Sequence, residues 1–275
     1  MKIKVFTLCK NEILIAPFFV DYWKSLADEV EVFVYDGFST DGTFEYLSQY
    51  NWINVIQTKE NSELDDFFSI QLKNNIWKKH RGTCDFVMVC DFDETIMSYS
   101  VEELHSTLDK MKTEGYSILL PLSFNVVSDD FPKYETNKFL HEICVYGFND
   151  FIMETKAILF DPNKITEINY IPGSHACFPK GEVKWFNTQN LFLIHAKYLG
   201  FDYYFNRIHN RELSENNKKC GLWAEKDKIK NNMLAEFNEM KNKRFKWTEI
   251  KNNFMDCYNV YSDWSPWGYK KLTYS

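Results

Sequence analysis

Three carboxylates close the apolar run Phe86-Val-Met-Val-Cys-Asp91-Phe-Asp93-Glu94. An interior strand that ends in acids delivers negative charge to the carboxyl edge of a sheet, where open α/β folds place ligands. Such a cluster invites a divalent cation, although Asp-x-Asp after a hydrophobic strand also describes an ordinary solvated loop. Another acid, Asp36, closes the apolar run Val30 to Tyr35 and leads into Asp36-Gly37-Phe-Ser39-Thr40-Asp41-Gly42-Thr43. In a parallel sheet Asp36, Asp91 and Asp93 converge on one edge, where acids suit ribose hydroxyls and a cation holding phosphates. Asp41 has a plainer use, since Asp-Gly pairs favour tight turns and Asp41 would cap a helix from Phe44 to Gln49.

His195 ends a further apolar run, Asn190-Leu-Phe-Leu-Ile-His195. A carboxylate pair and one imidazole form an octahedral site once phosphate and water complete it, while a histidine so placed is also a common satisfied core residue. His175, in Gly173-Ser174-His175, has the same two readings. Lys10, Asn11 and Glu12 follow the first strand at the same edge, where side chains meet a base or ribose or simply form a polar turn. Arg207, Arg211, Lys218 and Lys219 make a basic patch downstream of His195, either a solvated helix face or a set of donors for a diphosphate leaving group. Neither G-x-G-x-x-G nor a P-loop occurs among the ten glycines, so dinucleotide oxidoreduction and P-loop phosphoryl transfer lose their main support and a metal is left to neutralise phosphates. Gly-x-Ser-x-Gly is missing as well, which leaves acyl-enzyme hydrolysis little support.

The elements that must position these groups alternate. Strands are predicted at Ile3 to Leu8, Val30 to Tyr35, Val55 to Thr58, Phe86 to Cys90 and Ser117 to Leu122. Helices are predicted at Ala16 to Leu26, Phe44 to Gln49 and Val101 to Thr113. Another, capped by Ser62, carries Leu64, Phe67, Phe68, Leu72 and Ile76 at helical spacing. Strands alternating with helices imply right-handed crossovers and a mostly parallel sheet with helices on both faces, a nucleotide-binding type of α/β fold. The rhythm is lost from Ser123 to Glu154, read as an excursion over the ligand edge. Short strands are expected at Lys156 to Phe160, Ala176 to Phe178 and Leu191 to His195. A helical tail follows with Ile229, Met233, Phe237 and Met240 on one face, and the end from Phe245 to Tyr274 is dense in Trp and Tyr.

The chain's 275 residues suffice for one large domain with an appendage. A formal charge of −7 gives no basic field for a phosphodiester backbone, so nucleic acid is not an expected partner. Seven scattered cysteines without C-x-x-C argue for reduced thiols and a cytoplasmic setting. The opening Met1-Lys-Ile-Lys-Val-Phe-Thr-Leu runs into a strand pattern without the core of a signal peptide, and no stretch is apolar enough to span a bilayer. Aromatics at 17% suggest either a heavily aromatic core or stacking surfaces.

In order along the chain stand Thr7-x-x-Lys10-Asn11-Glu12, Tyr35-Asp36-x-x-Ser39-x-Asp41-Gly42-Thr43, Lys73-Asn74-x-x-Trp77-Lys78 and Val89-Cys-Asp91-x-Asp93-Glu94. Gly173-Ser-His175, Ile194-His195-x-Lys197-Tyr198-Leu199-Gly200 and Arg211-x-Leu-Ser214-x-x-Asn217 follow. With these motifs the chain resembles the GT-A nucleotide-sugar glycosyltransferases, in particular bacterial family-2-like enzymes of polysaccharide or capsule assembly. The resemblance implies a GT-A Rossmann-like domain over 1–221, with a donor half 1–122 and an acceptor half 123–221. A helical, aromatic-rich extension over 222–275 would follow.

The resemblance further implies transfer of a sugar from a nucleotide-sugar donor to a hydroxyl of a glycan or lipid-linked glycan. Thr7, Lys10, Asn11, Glu12, Asp36, Asn74, Asp91 and Arg211 would face the donor nucleotide. Mn²⁺ or Mg²⁺ would sit on Asp93, with His195 and Asp91 beside it. A base for the acceptor hydroxyl is not marked by a clear Glu-Asp pair, and Asp150, Glu154 and His175 are the candidates. A sugar nucleotidyltransferase is a rival that normally needs a Gly-rich basic loop near its start, and a non-catalytic nucleotide- or glycan-binding protein is another. Trp264, Trp267, Lys270 and Lys271 suggest peripheral membrane contact through the tail.

Overall fold

Side-chain alternation along the apolar runs dictates where everything else must sit. The computed structural model describes residues 1–26, 30–58, 63–149, 156–222 and 228–249. The chain opens with β1 (Ile3–Cys9), α1 (Ala16–Lys24), β2 (Val30–Asp36), α2 (Thr43–Leu47), β3 (Ile53–Gln57), α3 (Asp66–Asn75) and β4 (Phe86–Asp91). It continues with β5 (Glu94–Met97), α4 (Val101–Thr113), β6 (Ile118–Ser128), α5 (Leu140–Ile143), β7 (Tyr146–Phe148), β8 (Leu159–Phe160), β9 (Ile165–Glu167) and β10 (Lys180–Gly181). It closes with β11 (Trp185–Leu199), α6 (Phe201–His209), α7 (Glu215–Lys219), α8 (Lys230–Asn242) and β12 (Phe245–Lys246).

Among the described residues ten strands form one mixed sheet with the path β12-β7-β6-β8-β4-β1-β2-β3, and β11 joins β5 to β6. Its long pairings, β1 with β2 and β4, β2 with β3, and β6 with β11, are parallel. The short strands β7, β8 and β12 pair antiparallel. This is the Rossmann-like, helix-flanked sheet that the alternation of elements predicts.

Both faces of the parallel strands are covered, so each strand sorts its residues by parity. Val30, Val32, Val34, Phe86, Met88 and Cys90 join α1 and α4 in one apolar cluster. Phe33, Tyr35, Val87 and Val89 join Ile70, Leu72, Ile76 and Trp77 in the other, beneath α3. A third cluster, Val127, Tyr198, Tyr204, Ile208, Met233 and Phe237, seats α6 and α8 on the sheet.

Several expectations are corrected. Ser62 lies outside the described residues; the cap of α3 is Asp65, whose Oδ1 accepts the N–H groups of Phe67 and Phe68 at 3.0 Å each. Phe67 is exposed rather than packed, because the covered face of α3 is turned by Lys73, its buried member. The region after Ser123 is no pure excursion, since β6 runs on to Ser128 and β7 pairs with it. Ala176 to Phe178 forms only a single bridge, Tyr170 to Cys177. Residues 180–181 pair instead with β9. Ile229 caps α8 from outside and is exposed, while Met233 and Phe237 are buried as expected. β12, from the predicted extension, pairs with β7 and so widens the main sheet. The cysteines at 9, 84, 90, 144, 177 and 220 are free thiols. Among the described residues no helix is long and apolar enough to cross a membrane.

Candidate functional site

The carboxyl ends of β1, β2 and β4 lie side by side, with Cys9 in register with Asp36 and Leu8 with Asp91. The acids nevertheless split between the faces. Asp36 follows Val34 in parity, is fully buried, and accepts from the Ser39 hydroxyl at 2.5 Å and the Ser39 N–H at 3.1 Å. It holds its own loop.

The loops after β1 and β2 are laced together. Asn11, at φ 54°, donates its N–H to Ser39 Oγ and accepts from Thr40 N–H at 2.8 Å; Glu12 N–H donates to Thr43 Oγ1, and Ile13 N–H to Asp41 Oδ2. Asp41 also accepts from Thr43 N–H at 3.0 Å, the turn chemistry proposed for it, while the cap position itself belongs to Gly42. Thr7 is buried two residues short of the strand end, and Lys10 lies on the laced turn, part-exposed.

Asp91 and Asp93 project to the opposite face from Asp36. The intervening Phe92 stacks on Phe19 of α1, with centroids 4.2 Å apart, and begins the turn that carries Asp93 to His195 and Arg207. Lys73 Nζ of α3 donates to Asp91 Oδ1 at 2.6 Å and Lys156 Nζ to Oδ2 at 3.2 Å. Lys156 also meets Glu94 Oε1 at 2.6 Å, and Glu94 accepts from the Asp91 N–H. Burial pushes the Asp91 carboxyl up, but Lys73 and Lys156 outweigh it and hold the group below the usual carboxylate range.

Asp93 has different company. Its Oδ2 receives Arg207 Nη1 and lies 3.1 Å from His195 Nε2. Burial opposes its charge, yet Arg207 and then His195 leave the carboxyl well below its ordinary value. Arg207 also reaches Glu12 Oε1 through Nε at 3.1 Å and Nη2 at 2.8 Å. Burial pushes Glu12 up and Arg207 opposes it. Arg211 stands 3.6 Å from Glu12, its pKa lowered by burial and by the like charge of Arg207.

The helix that brings Arg207 begins at Gly200, where φ is +81° and a Cβ would meet the backbone of Asp130 and Phe131 at 2.7–3.0 Å. Only glycine fits there without displacing main chain.

The structure thus gathers Glu12, Asp91, Asp93, His195 and Arg211 on one face of the edge, and separates Asp36 from them. Asn74 is occupied by the backbone of Tyr170, accepting its N–H at 2.8 Å and donating to its carbonyl at 3.3 Å. His175 sits on a turn beside α3, next to Ser174, whose Oγ is 3.4 Å from Lys73 Nζ. Asp150 and Glu154 lie outside the described residues. The basic patch divides, with Arg207 and Arg211 at the acids and Lys218 and Lys219 exposed on α7. Asn217 clasps the start of α3, its Nδ2 donating to Asp66 Oδ2 at 2.8 Å, while Ser214 caps α7 by accepting the Asn217 N–H. Lys73 and Lys156 carried no assigned role in the sequence, and Glu94, read with the acids that invite a cation, is taken by Lys156. A lysine at an inward helical position was the available signal for Lys73, and Lys156 gave none.

The donor set fits a divalent cation only in part. Asp93 and His195 are adjacent, whereas both oxygens of Asp91 are engaged by lysines. Among the described residues no three of His, Cys, Asp and Glu gather as an ion site. Two protein donors suit a cation that arrives with phosphate oxygens, not one held by protein alone.

No protein-family model and no curated protein matches the chain. Solved structures similar to it include mannosyltransferase PcManGT from Pyrobaculum calidifontis in complex with GDP-Man and Mn²⁺, at 18% identity over 44% of this chain and 35% of that one, TM-score 0.32. Mannosyl-3-phosphoglycerate synthase from Rubrobacter xylanophilus matches at 13% identity over 59% and 54%, TM-score 0.35. An active-site mutant of LgtC matches at 12% over 43% and 46%, TM-score 0.28. The matched regions span from about a third to about half of those chains.

Proposed function

We propose that the chain is a glycosyltransferase that moves a sugar from a nucleotide-sugar donor to a hydroxyl of a glycan or lipid-linked glycan. One observation supports this above the others: Lys73, Lys156, Arg207, Arg211 and His195 are interleaved with Glu12, Asp91, Asp93 and Glu94 on one face of the carboxyl edge. Such an edge receives a nucleotide, and an array with cations between its acids offers charge to a diphosphate without a Gly-rich cradle. Lys73 and Lys156 would hold phosphate oxygens as these displace the Asp91 carboxylate, and Arg211 would add a further donor.

Asp93 and His195 would hold a Mn²⁺ or Mg²⁺ ion carried in with the diphosphate. When bound, that ion supplies neutralisation of the leaving group's charge. Arg207 braces Asp93 and Glu12 so that the carboxylate keeps its orientation. His175 is the described candidate for taking the acceptor's proton. Asp36, with its Ser39 bond, shapes the turn on which the nucleoside rests.

The test is nucleoside diphosphate release across a donor panel, with and without Mn²⁺, for the parent, Asp93→Ala and His195→Ala. The expected result is metal-dependent release from one donor, lowered at least about 10²-fold in Asp93→Ala. Binding without turnover on any acceptor would favour a binding protein, and pyrophosphate formation from a nucleoside triphosphate and a sugar phosphate would favour the nucleotidyltransferase.

A further inference from the structure

Asn125 lies within β6 and is fully buried, yet neither its Oδ1 nor its Nδ2 has a hydrogen-bond partner. The orientation of the amide is immaterial here, because both ends are unmet. Unmet buried polar groups oppose folding, so one that persists in a structured strand calls for a partner from outside the chain, a ligand or an ordered water. Register says where. Asn125 is paired with His195 on one side and Phe148 on the other, and His195 in turn with Glu94. Paired residues of neighbouring strands share a sheet face, so Glu94, His195, Asn125 and Phe148 form one row beneath α6.

Along that row the chemistry changes. At one end Glu94 meets Lys156 and His195 meets Asp93, where charge is handled. Asn125 follows, neutral, and then the part-buried ring of Phe148. On α6 the ring centroid of Tyr203 lies 5.9 Å from the guanidinium carbon of Arg207.

We propose that Asn125 takes a hydroxyl group of the transferred sugar, an inference that rests on the glycosyltransferase reading. A carboxamide offers a donor and an acceptor side by side, which matches a neutral hydroxyl that does both. A phosphate oxygen would use the donor alone, and the cations suited to phosphate stand further along the row. Phe148 adds an aromatic face against which the C–H side of a sugar ring packs.

The experiment is calorimetric titration of the parent, Asn125→Leu and Asn125→Ser with GDP against GDP-mannose and UDP against UDP-glucose, in Mn²⁺, beside the Tm of each ligand-free protein. For the pair that binds, the sugar conjugate is expected to weaken about tenfold or more in both variants, with the free nucleoside diphosphate unchanged within twofold. The ligand-free Tm of Asn125→Leu is expected to equal or exceed the parent's, because no internal bond is lost. Equal weakening of both ligands, no weakening of the conjugate, or a lower Tm for Asn125→Leu would overturn the assignment. If the leucine variant does not fold, Asn125→Ser decides by the same ratio of conjugate to free diphosphate. A parent that binds none of the four ligands, nor any other nucleotide sugar of the donor panel, would instead overturn the glycosyltransferase reading, and this inference with it.

Discussion

Asp91 and Asp93 stand two residues apart, on the same face, and each meets two cationic or imidazole groups, yet their surroundings differ. The Asp91 side chain is 38% exposed and its partners are lysines. That of Asp93 is 2% exposed and its partners are Arg207 and His195. A lysine is a compact charge on a flexible stem, while the arginine fork fixes the direction of what it binds. Charge attraction also strengthens as water is removed. The Asp91 carboxylate is thus the one open to an exchange of partners, and the Asp93 carboxylate the enclosed one. A site that admits a charged ligand and still holds its geometry needs one of each.

The comparison breaks most directly at Arg207. Arg207→Met leaves Asp93 and Glu12 buried with their shared cation gone, and removing one partner of a buried pair costs about 3–5 kcal/mol. Urea unfolding should show that loss, and Asp93→Asn in the same chain should recover part of it, because one uncompensated charge is then removed. A loss below about 1 kcal/mol, the range of exposed pairs, would mean that the Asp93 half is no drier than the other.

A smaller effect separates Asp93 from its neighbour His141, which lines a hollow with Phe19, Tyr22, Phe92 and Asp93. Burial pushes the His141 pKa down to about 4 from 6.5, with Glu142 opposing. The imidazole is thus neutral in the fold, while the unfolded chain takes up a proton as pH falls through about 6.5. Its contribution is complete above that pH, is lost between about pH 6.5 and 4, and then levels off. At about 1.4 kcal/mol per pKa unit, discounted for partial exposure, the loss is about 2 kcal/mol. Denaturant midpoints across that window should fall in the parent and lose most of this slope in His141→Phe. A slope that survives the substitution above about pH 5, where carboxylates are ionised in both states, would place the titration elsewhere.

Legibility in the sequence followed physical range. Apolar runs gave β1, β2 and β4 almost to the residue, and Val101 to Thr113 emerged as α4, where Ser100 caps the helix and Leu104, Leu108 and Met111 lie at helical spacing. The edge location of Asp91 and Asp93 followed from strand ends alone. Which face each acid takes did not, since parity follows from the clusters that alternate residues of β4 join. Ion pairs across 65 residues, as for Lys156 and Asp91, or across 195, as for Arg207 and Glu12, leave no local pattern. The same holds for β12, whose two residues gain their strand only from β7. Asn74 read as a nucleotide-facing group in sequence and is a clasp on the Tyr170 backbone in space.

The smallest stability effect is expected where the exchange is proposed, and it sharpens the contrast with Arg207. In Lys73→Met, Asp91 keeps Lys156 and gains water at its exposed side, so the stability change should stay within about 1 kcal/mol. If Lys73 serves the diphosphate, its loss falls on binding instead, because a charge-assisted hydrogen bond of about 1.5–3 kcal/mol corresponds to roughly tenfold or more in affinity. Unfolding and nucleoside diphosphate titration on the same variant should then diverge. Were Lys73→Met to destabilise the fold as much as Arg207→Met while leaving affinity intact, Asp91 would be a second brace, and the site would have to recruit its phosphate-binding charge from Arg211 alone.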